Sequence, residues 1–431
     1  MKGMSKFQLV LTGIFGAFIL IGVLVFAFSR SSKTDEIARV TIWGTMSESL
    51  FSSYLRGSGI AEDKTIDITY VEKKRQTFDQ DFVEALAVGK GPDLFFLPQD
   101  SILKHKDKIY PIPYSAYSER TFKDTFVEEG ELFLSNEGIY GLPFIIDPMM
   151  MYWNRDTFSN AGLSLPPKYW SEFYDLSNKL TVKDTNFNVS KGTTALGEYG
   201  NITNANELIS LLIMQAGSPI TVRNSDGVVE NVFSDRFDLP TMPALRALTF
   251  YTEFANPLKP FYSWNRALPE SKNFFLSGDL ALYFGFASEL PELRLKNPNL
   301  NFDIAAMPQS KDYTKNITFG RVVALAIPRN SQKIAQAFRV ANILTGSTSI
   351  SGLSKTTGLP PVRRDLLASK PSEQYAALFY DGAIQSRAWL APEPGRLNPI
   401  FKEMVESVTS GRTNIDQSIF RASDQLDILY R

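Results

Sequence analysis

Tyr140-Gly141-Leu142-Pro143-Phe144-Ile145-Ile146-Asp147-Pro148-Met149-Met150-Met151-Tyr152-Trp153-Asn154 is an almost wholly apolar extended run. Pro143 and Pro148 interrupt it, and proline donates nothing to a strand ladder, so the run does not read as one regular central strand. It reads as a connection passing from one sheet to another, with Asp147 as its one charge. Met149, Met150 and Met151 read as strand core. Upstream, Ile37–Gly44 and Ile66–Val71 have strand character, the second with period two. Phe78, Phe82, Ala85 and Leu86 have helical spacing closed by Gly89, and Leu94–Leu97 is a short apolar strand after a Gly-Pro turn. Strand, helix, strand in that order imply parallel pairing through a crossover and a sheet buried on both faces.

Downstream, Pro166–Phe173 reads as a helix opening on proline. Helices follow at Leu208–Ala216 and Leu245–Thr252, and one ends at Gly278 before a strand Asp279–Phe284. Val322–Ile327 is a second buried strand ahead of a helix at Ile334–Ala341. The last helix carries Ile415, Ile419, Ala422, Leu426 and Leu429 on one face, with Thr413 and Asp416 spaced for a capping box.

The chain has 431 residues, no cysteine and a single histidine, His105, set among lysines. Thiol nucleophiles, disulfides and thiolate metal sites are excluded, and a Ser-His-Asp engine is disfavoured. With 45 basic and 46 acidic side chains there is no electrostatic footprint for nucleic acid. No P-loop, GxGxxG or HExxH occurs. Neither a catalytic residue, a cofactor nor a metal site is expected.

Phe7–Phe28 carries no charge, and only Gln8 and Thr12 are polar. A helix of that length spans about 33 Å, enough for a hydrocarbon core, and exceeds the usual apolar region of a cleaved signal peptide. The expectation is a single-pass anchor with a short cytoplasmic tail (1–6), a span (7–28), a linker (29–36) and an extracytoplasmic body in the plasma membrane.

Several segments, in this order, resemble the extracellular solute-binding proteins of ABC importers, in the branch that includes the maltodextrin-binding proteins. They are Gly89-Lys90-Gly91-Pro92-Asp93-Leu94-Phe95, Tyr140–Pro143 with Met151–Asp156, Pro166–Phe173, Met214–Gly217, Phe275–Leu282 and Gly358–Arg363. The resemblance implies an α/β fold of two lobes joined by hinge crossings and closing on a ligand. Lobe I would hold 37–145 and 322–370, and lobe II 146–321 and 371–431. Crossings would fall near Phe144–Pro148, near Phe319–Val322 and after about Leu366. It also implies a monomer that captures a small solute, a carbohydrate by the family branch, and hands it to an ABC permease. The lipid-bearing cysteine usual in such proteins is missing, so the membrane helix would have to tether the body.

A sugar cleft needs aromatic faces for ring C–H surfaces and planar polar groups for hydroxyls. Trp43 ends the first strand, and Gln99 and Asp100 end the third, where parallel sheets present ligands; a core tryptophan and a helix cap are the plainer roles. Asp147 aligns with an acidic ligand-binding residue of the maltodextrin binders, against a turn aspartate before Pro148. Trp264, Phe286 and Trp389 fall in loops that line the cleft in relatives. Arg321, at the second crossing, could pair an acidic ligand or Asp147; Arg396 reads as a surface arginine. The rival functions are a surface polysaccharide-processing enzyme and a ligand-sensing ectodomain.

Overall fold

The computed structural model describes residues 37–311 and 315–430. The apolar segment Phe7–Phe28 lies outside them; among the described residues no helix is long and apolar enough to cross a membrane.

Among the described residues ten strands form one sheet. They are β1 (Ala38–Gly44), β2 (Ile66–Glu72), β3 (Leu94–Pro98), β4 (Leu142–Asn154), β5 (Val182–Lys183), β6 (Val189–Thr194), β7 (Leu280–Phe286), β8 (Phe302–Ala305), β9 (Thr318–Ala326) and β10 (Ser386–Arg387). Their order is β2-β1-β3-β9-β4-β7-β6-β5, with β8 added to β4 and β10 to β9. β1 pairs parallel with both β2 and β3, and the helix Phe78–Ala87 forms the crossover the sequence predicts.

β4 corrects the reading of the opening run. It is one continuous strand of 13 residues in the middle of the sheet, despite both prolines. Over Leu142–Pro148 its ladder partner is β9, whereas β7 and β8 pair it only from Met149 onward. Pro143 and Pro148 thus fall where one edge suffices, and a register shift opposite Val323/Ala324 sits beside Pro143. A missing N–H costs little on an unpaired edge.

Two hydrophobic cores divide along this strand. Leu142, Phe144 and Ile146 belong to one core, with β1, β3 and Val322–Ile327. Met149–Trp153 belong to the other, with Ile317, Phe319 and most of the chain from 158 to 307. β4 and β9 lie side by side and antiparallel, and both change core at the same level: Asp147 faces Arg321 and Pro148 faces Gly320 across the ladder. The helix Gln374–Gln385 gives Phe379 to one core and Ala383 to the other, so this passage is shared between them.

Two helix starts differ from the sequence expectation. The helix after Pro166 begins only at Trp170, where Glu172 Oε1 accepts from the backbone N–H groups of Lys168 and Tyr169 at 3.1 and 2.8 Å. Asn414, not Thr413, caps the C-terminal helix Ile415–Tyr430: its Oδ1 accepts from Gln417 N at 2.8 Å. Thr413 Oγ1 instead bonds Ser407 Oγ.

Candidate functional site

Successive side chains of a strand point to opposite faces, so where β4 and β9 change core they present two different surfaces. Arg321 lies on one face. Its guanidinium stacks 3.7 Å from the centre of the Phe286 ring and donates to Asn204 Oδ1 at 3.1 Å and to Glu207. Asn204 and Glu207 open the helix Ala205–Gln215. Asn204 adopts a left-handed backbone (φ 61°), which asparagine tolerates better than most residues. Its amide also reaches Phe284 O and Glu289, which fixes the acceptor toward Arg321.

Asp147 is 8 % exposed and accepts one hydrogen bond, from Ser288 N at 3.0 Å. It lies within a strand, not in a turn before Pro148. Burial pushes its carboxyl up to about 6, although the Ser288 bond and Arg321 pull the other way. Asp100 follows β3 and accepts from Ser101 Oγ at 3.2 Å. Burial raises it too, against the charges of Arg75 and Arg321. Each carboxylate has acceptor capacity beyond its one partner. Where β3 ends, Asp100 borders a cavity of about 380 Å³. Thr45, Arg75, Asp100 and Lys104 line it from one core, and Glu393 and Gly395 from the segment entering the helix Pro394–Thr409. Lys104 joins the two walls, 2.5 Å from Glu393 and 2.7 Å from Asp79.

The structure thus gathers Asp100, Asp147, Phe286 and Arg321 at one place. The other expected residues are engaged elsewhere. Gln99 clips β9: its Nε2 donates to Gly320 O (3.2 Å) and its Oε1 accepts from Val322 N (2.6 Å), so the amide is spent on backbone where β3 has ended. Trp43 is buried with Lys73 Nζ 3.9 Å from its ring centre, so an ammonium covers that face. Trp264 has no exposed surface; its indole N–H donates to Asn201 Oδ1 and its ring meets Phe274 edge-on. It is a core residue and offers no platform for a ligand. Trp389 is buried as well, bonded to Ser210 Oγ at 3.1 Å and stacked near Phe401, and it lines a different cavity on the opposite face. Arg321 is ion-paired to Glu207 and not to Asp147.

Sequence reasoning missed Asn204, Glu207, Ser288 and Lys104. Asn204-Ala205-Asn206-Glu207 ahead of an apolar helix is an N-terminus signal that could have placed the first two at the mouth of a helix. Nothing local marks Ser288, whose backbone N–H reaches Asp147. His105 is buried, with Nε2 2.9 Å from Asp79 and its ring edge against Phe82. It also lines the cavity where β3 ends. Among the described residues no cluster of three or more His, Asp or Glu is placed to hold a metal ion.

Residues 60–349 match a family model described as bacterial extracellular solute-binding protein. Among solved structures, the chain is similar to an ABC transporter solute-binding protein from Thermotoga lettingae bound with α-D-tagatose. The two are 21 % identical at a TM-score of 0.68, covering 91 % of this chain and 100 % of the other. The cyclic α-maltosyl-1,6-maltose-binding protein of Arthrobacter globiformis superposes at a TM-score of 0.73 with 13 % identity, over 91 % and 98 %. The sugar-binding protein MalE of Xanthomonas citri gives 0.70 with 19 % identity, over 91 % and 97 %.

Proposed function

The chain belongs to the bacterial extracellular solute-binding protein family, and from that premise we propose that it captures a carbohydrate by hinge closure and delivers it to an ABC permease. The family is one of binding proteins, not enzymes. In this reading 37–145 with 322–370 and 146–321 with 371–431 are the moving lobes. Phe7–Phe28 anchors the body outside the plasma membrane, and the binding form is a monomer.

One observation carries the reading. Where both crossing strands change core, Asp147 and Arg321 stand paired in register on a polar surface, flanked by Asp100 and a cavity of ligand size. Under-used carboxylates there can accept sugar hydroxyls, and the part-exposed guanidinium of Arg321, backed by the buried Phe286 ring, supplies a planar donor face. A ligand touching Asp100 on one side and Asp147 or Ser288 on the other makes contacts only in the closed form, and that differential affinity drives closure. The solved relatives support a sugar, since tagatose and maltosyl-maltose stand in their names.

A thermal-shift screen of the full chain in detergent micelles tests this, with mono- and oligosaccharides against amino acids, peptides and phosphate. A ligand of the native state must raise the melting temperature. A shift confined to one sugar class, with the sugar recovered unchanged, is the expected result. Shifts only with amino acids or peptides would overturn the carbohydrate assignment, and turnover of the sugar would overturn binding without chemistry.

A further inference from the structure

The opposite face of the crossing holds a group that the proposed cleft does not use. Glu129, in the 3₁₀ segment Glu128–Phe133, is 2 % exposed, and neither carboxyl oxygen has a hydrogen-bond partner. It presses on both crossing segments at once. A Cβ built on Gly320 would lie 2.0 Å from Glu129 Oε2 and 2.6 Å from Ser386 Oγ. Gly320 is thus required here by close approach, while its neighbour Arg321 points into the cleft. Glu129 and Arg387 also line a cavity of about 480 Å³ on this rear side, with Arg223, Lys315 and Trp389 on other walls.

Ser386 Oγ donates its proton to Gly382 O at 2.9 Å, and in that orientation it can only accept from Glu129. A charged carboxylate has no proton to offer it, whereas a protonated one does. Burial pushes Glu129 up to about 8, with Asp147 reinforcing, and Arg387 and the nearby Ser386 hydroxyl opposing. The surrounding charges leave it little else. Arg387, on β10, is paired with Glu128, and Lys123, on the helix Glu119–Thr125, with Glu131. Asp147, on β4, is like-charged, and Arg321, on β9, faces the cleft.

We propose that Glu129 is a proton-linked brake on lobe closure: protonated and sealed against Gly320 and Ser386 it holds the rear seam shut, and ionised it favours the form with the rear open and the ligand cleft closed. The inference rests on the hinge-closure reading. Rotation about the crossing that narrows the front cleft widens the rear cavity that Glu129 lines, and lets water reach the carboxyl. The sealed form binds its proton up to about pH 8 and the hydrated form only in the ordinary glutamate range. The sealed form is therefore fully favoured at low pH and loses ground as pH rises toward about 8. Solute affinity rises over the same window, by at most about tenfold per pH unit for one proton.

The absence of native cysteine allows a clean test. Spin labels on Ser49→Cys and Ala267→Cys report the separation of the two halves in the full, ligand-free chain in micelles. From about pH 5.5 to about pH 9 the distance distribution should shift with a single-proton titration in the otherwise wild-type chain, and stay fixed in E129Q. An invariant wild-type distance, or a shift that survives in E129Q, overturns the proposal. Should E129Q fail to fold, infrared spectra of ¹³C-glutamate-labelled wild-type chain decide. A protonated glutamate carbonyl band present at about pH 7 and lost by about pH 9 is expected, and its absence at neutral pH overturns the proposal. Adding tagatose or maltosyl-maltose at fixed pH tests the hinge reading separately: no sugar-dependent shift beside an intact pH shift would sink the carbohydrate-driven closure and leave the brake.

Discussion

Residues 320 and 321 are neighbours on one strand, yet they serve opposite kinds of surface. On the front face Arg321 sits among Asp147, Asp100 and Glu207, and charge is balanced by a guanidinium that finds an acceptor, a carboxylate and a ring. On the rear face Gly320 makes room for Glu129, whose carboxyl oxygens are buried without a hydrogen-bond partner. Burial raises both Asp147 and Glu129 against a nearby arginine and a nearby serine, yet Asp147, with the Ser288 N–H at 3.0 Å, is held to about 6, while Glu129 reaches about 8. Burial alone does not set the protonation state of these two carboxyls; the charges and hydrogen-bond donors packed beside each also count.

The largest effect should come from removing the front cation. Arg321→Ala strands Glu207 and Asp147 without their counter-charge and should cost roughly 3 kcal/mol in urea melts at neutral pH; a neutral result would mean that the front cluster is solvated and not a balanced ion network. Gly320→Ala comes next, because its methyl group must displace Glu129 or Ser386. Overpacking of this kind costs about 1–3 kcal/mol, and an unchanged melting temperature would show that the rear contact is loose.

The pH profiles divide the two carboxyls. Both have values raised on folding, so each contributes stability that is complete at low pH and lost as pH rises through its folded value. Wild-type stability should decline from about pH 4 upward; Asp147→Asn should remove the loss that ends near 6, and Glu129→Gln the part that extends to about 8. Denaturant melts at intervals of pH check this, with a slope of at most about 1.4 kcal/mol per pH unit for each group. Coincident profiles for the two variants would erase the distinction between the faces. The smallest effect belongs to Lys104→Met, which cuts the Glu393 and Asp79 pairs at the front wall. Those side chains are partly exposed, so the loss should stay below about 1 kcal/mol and shrink further in salt.

Much of the fold was legible because it rests on periodicity. The β1-helix-β3 unit, the buried triplet Met149–Met151 and the strand Val322–Ile327 follow from apolar spacing alone, and the structure has each of them. The proline-broken run was misjudged as irregular because ladder partners are not written locally: β4 tolerates Pro143 and Pro148 through the changing company on its edges. Of the candidate ligand residues, the structure brings Asp100, Asp147, Phe286 and Arg321 together and engages Gln99 and the tryptophans elsewhere. Asp100, Asp147 and Arg321 come together where strands end or change core, a position that sequence order predicts. A tryptophan is equally at home in a core and in a cleft, and for Trp264 and Trp389 tertiary packing chose the core.

The sequence by itself determined the alternation of strand and helix, the absence of thiol chemistry and the apolar segment at Phe7–Phe28. Only the tertiary structure decided that Glu207 and not Asp147 holds Arg321, that Gln99 is spent on backbone, and that Glu129 lies sealed against Gly320. Each of these joins residues more than 100 positions apart. Local pattern fixes which face of an element is apolar, but the partner of a buried charge is set by which distant element the core packing brings to it.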